Sequence, residues 1–482
     1  MEETKTAREE KIREEKMILA RSLEHLHGPE EIPYGEDELV VVCLVRDGRP
    51  YVKSFVEHYF ALGAKYIAFL DNNSTDGTVE ALREYNNVTV LRTKLPYKAN
   101  TGVTRDGITG NGWSREILFK QYLISRFGKQ DRWCLCVDID ELFDYPYSDV
   151  VSLRSLLNYL SSKSYTAVAA QMLDMFPQEP LSGRAGNLDV PLKKLHRFYD
   201  ISNLKRRNIK NNVTLRDNTY GSDEIDRLFG GIRNTIFGTS PCLTKFPLVF
   251  LDGRTKPMDD SSHRVGCARV ADITGVLFHY KFLDAHFHKH VVQAVREEHH
   301  FGNSAEYKKY LEVLDKTPSL QIKRETAREL KGVNELLENQ LLVVSDDYVS
   351  WADAEERSVL RAALWSGEPS GLAEAFLESR RRERAKILRI QRLERQLRQE
   401  AQRLSRQEAQ RLSGENQRLS GENQHLSGEN QRLSHKEDRR LMRHVRNLER
   451  ELESVRASRT WKLMERLHRI KVKALNPGRS SS

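Results

Sequence analysis

The run Val40-Val41-Val42-Cys43-Leu44-Val45 is apolar at six consecutive positions. A strand with one wet face alternates apolar and polar side chains. An unbroken run therefore predicts a strand covered on both faces, as in a parallel sheet. The neighbouring segments agree. Pro50 opens a helix in which Tyr51, Phe55 and Tyr59 recur at i, i+4 and i+8, and Gly63 stops it. Tyr66–Leu70 reads as a second strand, Thr78–Tyr85 as a helix and Val88–Leu91 as a third strand. A helix from Trp113 to Phe127 ends at Gly128, and Trp133–Val137 is a fourth strand. This alternation predicts an α/β class with a mostly parallel, Rossmann-like sheet and helices on both faces. Ligands of such sheets sit at the carboxyl ends of the strands, where Asp71 and the tetrad Asp138-Ile139-Asp140-Glu141 fall.

In an extended segment Asp138 and Asp140 point to one side while Ile139 turns back. Two carboxylates there suit a hard divalent cation held against a phosphorylated ligand, although Asp after a strand also caps helices or simply faces water. Asp71-Asn72-Asn73-Ser74-Thr75-Asp76-Gly77-Thr78 is rich in turn formers, so a tight turn is the plain reading. The functional reading has Asp71 accepting hydrogen bonds from a nucleotide.

Together, VVCLVRDGRPYVKSFVEHYFALGAKYIAFLDNNSTDGT and the later RWCLCVDIDELFDYP resemble the family 2 glycosyltransferases, which have a glycosyltransferase-A fold. Gln171–Pro177, Gly230–Arg233, Lys245–Leu248 and Gly275–Phe282 are similar to segments of a bacterial branch of these enzymes. The resemblance covers roughly residues 39–310. It implies transfer of a sugar from a nucleotide-diphosphate sugar to a glycan, lipid-linked or protein acceptor in bacterial surface polysaccharide synthesis, with inversion favoured. It also implies Asp71 as the nucleobase contact, and Asp138 and Asp140 as contacts to Mn²⁺ or Mg²⁺ and the ribose–phosphate. The role of Glu141 stays open.

Such a reaction displaces a diphosphate at the anomeric carbon, and inversion needs a carboxylate to take the acceptor hydroxyl's proton. Asp174, after the strand-like run Ala167–Leu173, is the first candidate base, with a helix cap or loop carboxylate as the alternative. His263 and His279 are candidates to complete the ion's shell, although a lone His is more often structural and these ions prefer oxygen. Arg233 and Lys245 are candidates to hold the phosphates, or else members of structural salt bridges. Of His286, His288 and His290 only the first and last share a helix face, so no metal site is assigned to them.

Charge divides the chain. Residues 380–482 carry 28 Lys/Arg against 13 Asp/Glu, so the net +9 of the whole resides in this tail and the remainder is mildly acidic. RQEAQRLS occurs twice and GENQ(R/H)LS three times. Leu412, Leu419, Leu426 and Leu433 are spaced by seven, the seam of a coiled coil that would pair two copies. Asn416, Asn423 and Asn430 on the seam, with Gly414, Gly421 and Gly428 at about 1 kcal/mol each against Ala, make that zipper weak. The expected organisation is a charged N-terminal helix (1–38), a catalytic domain (39–304), a helical extension (305–379), the coiled coil (380–460) and a basic tail (461–482).

Five cysteines without a CxxC pair read as buried thiols in a reducing compartment. Residues 1–31 lack the apolar core of a secretory signal, and no segment reaches the roughly 20 apolar residues of a membrane span, so the chain reads as cytoplasmic. Ser458–Leu463 is similar to the endings of some bacterial cell-envelope glycosyltransferases, without the Pro that follows there. With the basic amphipathic stretch Trp461–Ile470 it points to the inner face of a membrane.

Three rival readings were weighed. A nucleotidyltransferase wants a Gly-rich loop after the first strand, but Arg46-Asp47-Gly48-Arg49-Pro50 has one Gly. A DNA-binding zipper needs an unbroken heptad phase, and the eight-residue steps Leu404 to Leu412 and Leu433 to Leu441 break it, so no nucleic-acid partner is expected. A scaffold built on the coiled coil, with a non-catalytic glycosyltransferase-like domain, is the alternative, and the intact acidic pair argues against it.

Overall fold

The computed structural model describes residues 2–97, 115–181, 191–259, 261–297 and 301–364, with scattered helical positions between 385 and 450. The charged N-terminus forms helix α1 (Glu2–Ser22), shorter than the segment 1–38 assigned to it from sequence. Glu24–His27 is instead a strand, β1, pairing antiparallel with β4 (Val88–Arg92). Gly28 allows that pairing: its φ is +79°, and a Cβ there would lie 2.1 Å from the Val88 carbonyl oxygen.

The apolar run becomes β2 (Leu39–Val45), buried at every position. Then come α2 (Arg49–Leu62), β3 (Tyr66–Asp71), α3 (Thr78–Leu82), α4 (Arg115–Phe127) and β5 (Trp133–Cys136). Gly63 caps α2 in the left-handed region, as its position after the apolar stripe predicts. α3 is shorter than expected, and the first residues foreseen for α4 lie outside the described ones. The even positions Val40, Val42, Ala68, Leu70, Cys134 and Cys136 pack under Leu118, Phe119, Leu123, Ile124 and Phe127 of α4. On the opposite face Phe55 of α2 meets Phe69, ring centroids 5.5 Å apart. Each such buried side chain contributes roughly 1.5–3 kcal/mol, and the two layers explain why no polar residue interrupts β2.

The main sheet has ten strands, in the order β1-β4-β3-β2-β5, then Thr244–Phe250, β7 (Ala167–Asp174), Arg269–His279 and Thr219–Tyr220. The tenth, β6 (Glu141–Asp144), pairs antiparallel with the Arg269–His279 strand. Seven of these strands run parallel; β1, β6 and Thr244–Phe250 run the other way. The expected α/β, Rossmann-like, mostly parallel architecture is thus the one formed. From β2 the chain steps outward through β3 to β4 and returns to β5 on the other side of β2. That reversal opens a crevice between the carboxyl ends of β2 and β5. β6 lies close on its partner because Gly275 has no side chain: a Cβ there would be 2.5 Å from Phe143 Cε2.

The chain divides into two compact units, Met1–Tyr348 and Val349–Ser482. The first therefore extends past residue 304. Of the helical extension foreseen from 305, Phe301–Lys316 is helical, but Arg328–Glu329 is a short strand pairing with Phe198–Tyr199. The second unit is described in part only: its described residues are helical, and the leucine heptads and Trp461–Ile470 lie outside them. Among the described residues no helix is long and apolar enough to cross a membrane. All five thiols are free; Cys43, Cys134 and Cys136 are buried as expected, whereas Cys242 is half-buried and Cys267 exposed.

Candidate active site

The crevice holds a pocket of about 370 Å³. The acidic motif enters it through a turn, not as extended strand: the Glu141 amide donates to the Asp138 carbonyl at 3.0 Å. Asp138 and Asp140 still both line the pocket, but they meet different partners.

Asp138 belongs to a closed ionic knot. The Lys120 ammonium of α4 lies 2.6 Å from Oδ1 and 2.7 Å from Glu116. The Lys245 ammonium, from the Thr244–Phe250 strand, lies 2.7 Å from Oδ2 and 2.5 Å from Glu141 Oε1. Both lysines are buried. Burial alone would raise the Asp138 carboxyl, but the two ammonium groups drive it well below its ordinary value. Glu141, deeper still, is raised by its burial, with the Asp138 charge adding to the rise and Lys245 opposing it. Both oxygens of Glu141 accept, one from Lys245 and one from the Asp138 amide, so the two carboxylates share the Lys245 ammonium.

Asp140 belongs to an open chain set by strand register. His279 ends its strand opposite Glu141 of β6 and beside Asp174 of β7. Its Nε2 lies 3.1 Å from Asp140 Oδ2, and its Nδ1 lies 2.5 Å from Asp174 Oδ1. Arg233, on the helix Ile232–Phe237, donates Nε and Nη2 to the two oxygens of Asp174 at 2.8 and 2.7 Å. Nη2 is also 2.9 Å from His279 Nδ1, but it donates to Asp174, and an ionised carboxylate can only accept. Nδ1 thus carries a proton donated to Asp174, and Nε2 faces Asp140. Against its burial, which lowers it, His279 is raised by Asp140 and Asp174. Burial favours a higher value for Asp140, and the imidazole overrides it, bringing the carboxyl to about 2.

The predicted residues separate into two groups. Asp138, Asp140, Arg233, Lys245, His263 and His279 line the pocket, and Asp71 and Asp174 do not. Asp71 is fully buried; it accepts from the Ser74 amide and from Arg92 Nε at 2.7 Å, the role of a turn-building carboxylate. Its neighbour Asn72 reaches the pocket instead. Asp174, the expected base, stands behind the wall with both oxygens engaged by Arg233 and His279. His263 bonds the Thr244 carbonyl at 2.9 Å and the Cys242 thiol, not the acidic pair. Lys245 and Arg233, foreseen on phosphates, face carboxylates. His286 and His290 line the pocket from one helix face, whereas His288 does not.

Lys120, Glu116, Lys281 and Glu306 were missed. One of them left a sequence signal: Lys120 interrupts the apolar stripe of α4, and a lysine among core-facing positions implies a buried counter-charge.

Among the described residues no three His, Cys, Asp or Glu side chains gather into a metal cage. The donor set nevertheless fits an ion that shares its shell with a ligand. Mg²⁺-type ions are held by one or two protein groups plus substrate phosphates, at about 2.1 Å; two such ligands at right angles stand about 3.0 Å apart. The Asp140–His279 separation of 3.1 Å matches that spacing. The Asp174–His279 bond supplies the carboxylate that orients a metal-binding imidazole.

No family model matches the chain, and no curated protein does. Among solved structures it is similar to a nucleotidyl transferase from Methanothermobacter thermautotroptrophicus (Mth528), at 12% identity and a TM-score of 0.16. That likeness covers 30% of this chain and 63% of the other. It is also similar to the mannosyltransferase PcManGT from Pyrobaculum calidifontis in complex with GDP-Man and Mn²⁺, at 14% identity and a TM-score of 0.24. Here 76% of this chain and 98% of the other are covered. At these TM-scores neither likeness bears on fold or activity.

Proposed function

We propose that the chain is a metal-dependent glycosyltransferase that takes a sugar from a nucleotide-diphosphate donor and passes it to a glycan, lipid-linked or protein acceptor, the bacterial surface-polysaccharide role included. The observation that carries this reading is the Asp140–His279 pair, spaced for one ion and opening on a pocket at the switch point of the sheet. Asp140 and His279 would hold Mn²⁺ or Mg²⁺. When bound, the ion supplies neutralisation of the charge that grows on the departing diphosphate.

The chain's own side chains do the remainder. Asp174 and Arg233 fix the His279 tautomer so that Nε2 presents its lone pair. The Lys120–Asp138–Lys245 knot fixes the turn that carries Asp140. Lys281, on the pocket wall with its ammonium 3.0 Å from the Tyr307 hydroxyl, is the cation available to phosphate oxygens. With Asp174 behind the wall, Glu306 becomes the carboxylate placed to take the acceptor's proton: it lines the pocket and stands 3.9 Å from Arg233.

The test is release of nucleoside diphosphate from a panel of sugar nucleotides, with Mn²⁺, with Mg²⁺ and with EDTA. Metal-dependent release that Asp140→Asn and His279→Gln abolish is expected. Release of pyrophosphate would indicate nucleotidyl transfer, and no release from any donor would favour the scaffold.

A further inference from the structure

Beside the pocket lies a two-stranded antiparallel ribbon, Leu204–Asn208 with Asp226–Gly230. Side chains alternate faces along a strand, and here Arg206, Asp226 and Leu228 turn inward while Lys205, Arg207, Arg227 and Phe229 share the outer face. Arg207 stands directly opposite Arg227 in the register, and Lys205 opposite Phe229. Like charges directly across a strand pair repel, at Cβ separations of about 5 Å. No carboxylate of the described residues forms an ion pair with Lys205, Arg207 or Arg227. Both guanidinium groups lean on Phe229, 5.3 and 5.5 Å from its ring centroid. Arg227 Nε is buried and has no acceptor.

The ribbon is also joined to the pocket. Arg227 Nη2 lies 3.1 Å from the Sγ of Cys242, and Cys242 lines the pocket with Pro241. In the same segment Lys205 reaches Ser240 Oγ at 3.4 Å, and Thr239 bonds Glu306, also at 3.4 Å. A chain lying along the ribbon is led by residues 239–242 to the carboxylate suggested above as proton acceptor.

We infer that the outer face of this ribbon is the acceptor-binding surface, and that the acceptor is an anionic glycan bearing phosphate or carboxylate groups. The inference rests on the glycosyltransferase reading for the word acceptor, and the cations for their part call for an anion whatever the reaction. The exposed Arg207 guanidinium takes either anion through two parallel hydrogen bonds, Lys205 and Arg227 add positive charge beside it, and Phe229 offers apolar contact to a sugar.

The test is direct binding, which needs no turnover. Fluorescently labelled oligogalacturonate, labelled glycerol-phosphate oligomer and labelled neutral maltooligosaccharide are titrated into the full-length protein at low and physiological salt. Binding of at least one anionic oligomer, and of the neutral one at least about tenfold more weakly, is expected, and which anionic oligomer binds separates phosphate from carboxylate. Arg207→Gln combined with Lys205→Gln should weaken that binding about tenfold and flatten its salt dependence, with an unchanged melting temperature. Arg207→Lys should restore part of it. Equal binding of the neutral oligomer, or unchanged binding by the folded double variant, would overturn the inference. Tighter binding of a single-stranded RNA of equal charge would overturn it too. If these bindings fail while metal-dependent donor cleavage stands, only the acceptor assignment falls.

Discussion

Asp138 and Asp140 leave one turn two residues apart, yet the fold treats them in opposite ways. Asp138 is met by two buried ammonium groups from elements on either side of the turn. Asp140 is met by one imidazole that a second carboxylate holds in place. The difference separates architecture from exchangeable chemistry. An ion arriving at Asp138 would have to displace two ammonium groups that already hold both of its oxygens. At His279 it displaces a proton. The same motif therefore supplies one carboxylate tied to two lysines and one that meets only an imidazole.

The contrast can be broken at several points. The largest effect is expected from Lys245→Met, which leaves Asp138 and Glu141 buried against one ammonium fewer. Urea denaturation should show a loss of about 3–5 kcal/mol, the usual cost of orphaning a buried charge. A loss under about 1 kcal/mol would mean that water reaches the knot and that it is no framework.

Asp174→Asn comes next, since it strips Arg233 of its counter-charge and His279 of its orienting acceptor. Beyond a loss of stability, affinity for Mn²⁺ measured by calorimetry should fall about 10–100-fold. Unchanged affinity would return Asp174 to consideration as a base.

A smaller effect is the pH dependence of the metal-free protein. Asp140 is depressed to about 2 in the fold, so its contribution is present above its unfolded value near 3.8 and is lost as pH falls through about 2. His279 is raised, so its contribution is complete below its ordinary value near 6.5 and is lost as pH rises through the raised one. Wild type minus His279→Gln should therefore give a stability difference with a plateau between those limits; a flat difference would deny the ion pair. A smaller loss than that of Lys245→Met belongs to Asp140→Asn, about 2 kcal/mol at pH 7, the equivalent of its carboxyl's depression from 3.8 to about 2. That variant keeps its fold while losing its response to added Mn²⁺ in thermal melts.

The parallel half of the sheet was legible because each strand advertises itself locally. β2 is apolar throughout, α2 carries a clear stripe with Gly63 behind it, and the acidic tetrad follows β5 directly. β1 was not legible: Glu24-His25-Leu26-His27 continues a charged helical segment, and only the free edge of β4 makes it a strand. Nor were the partners in the pocket. Lys245 and Asp138 are 107 residues apart, and His279 and Asp174 are 105 apart, so their pairing is created by sheet register. Sequence could therefore single out Asp174 and Lys245 as charged residues at strand positions, but not the partners that register gives them. The crossing strand Thr244–Phe250, antiparallel between β5 and β7, delivers Lys245 and leaves no signature that a parallel neighbour would lack.

A single small residue, Gly275, governs how closely the acidic turn and the imidazole approach each other. The strand that starts with Glu141 lies against the bare backbone there, and Gly275's own strand ends four residues later in His279. Any substitution would lift one layer off the other and tilt the imidazole relative to its acidic neighbour. A change as slight as one methyl group could thus silence the protein without touching a side chain that meets substrate.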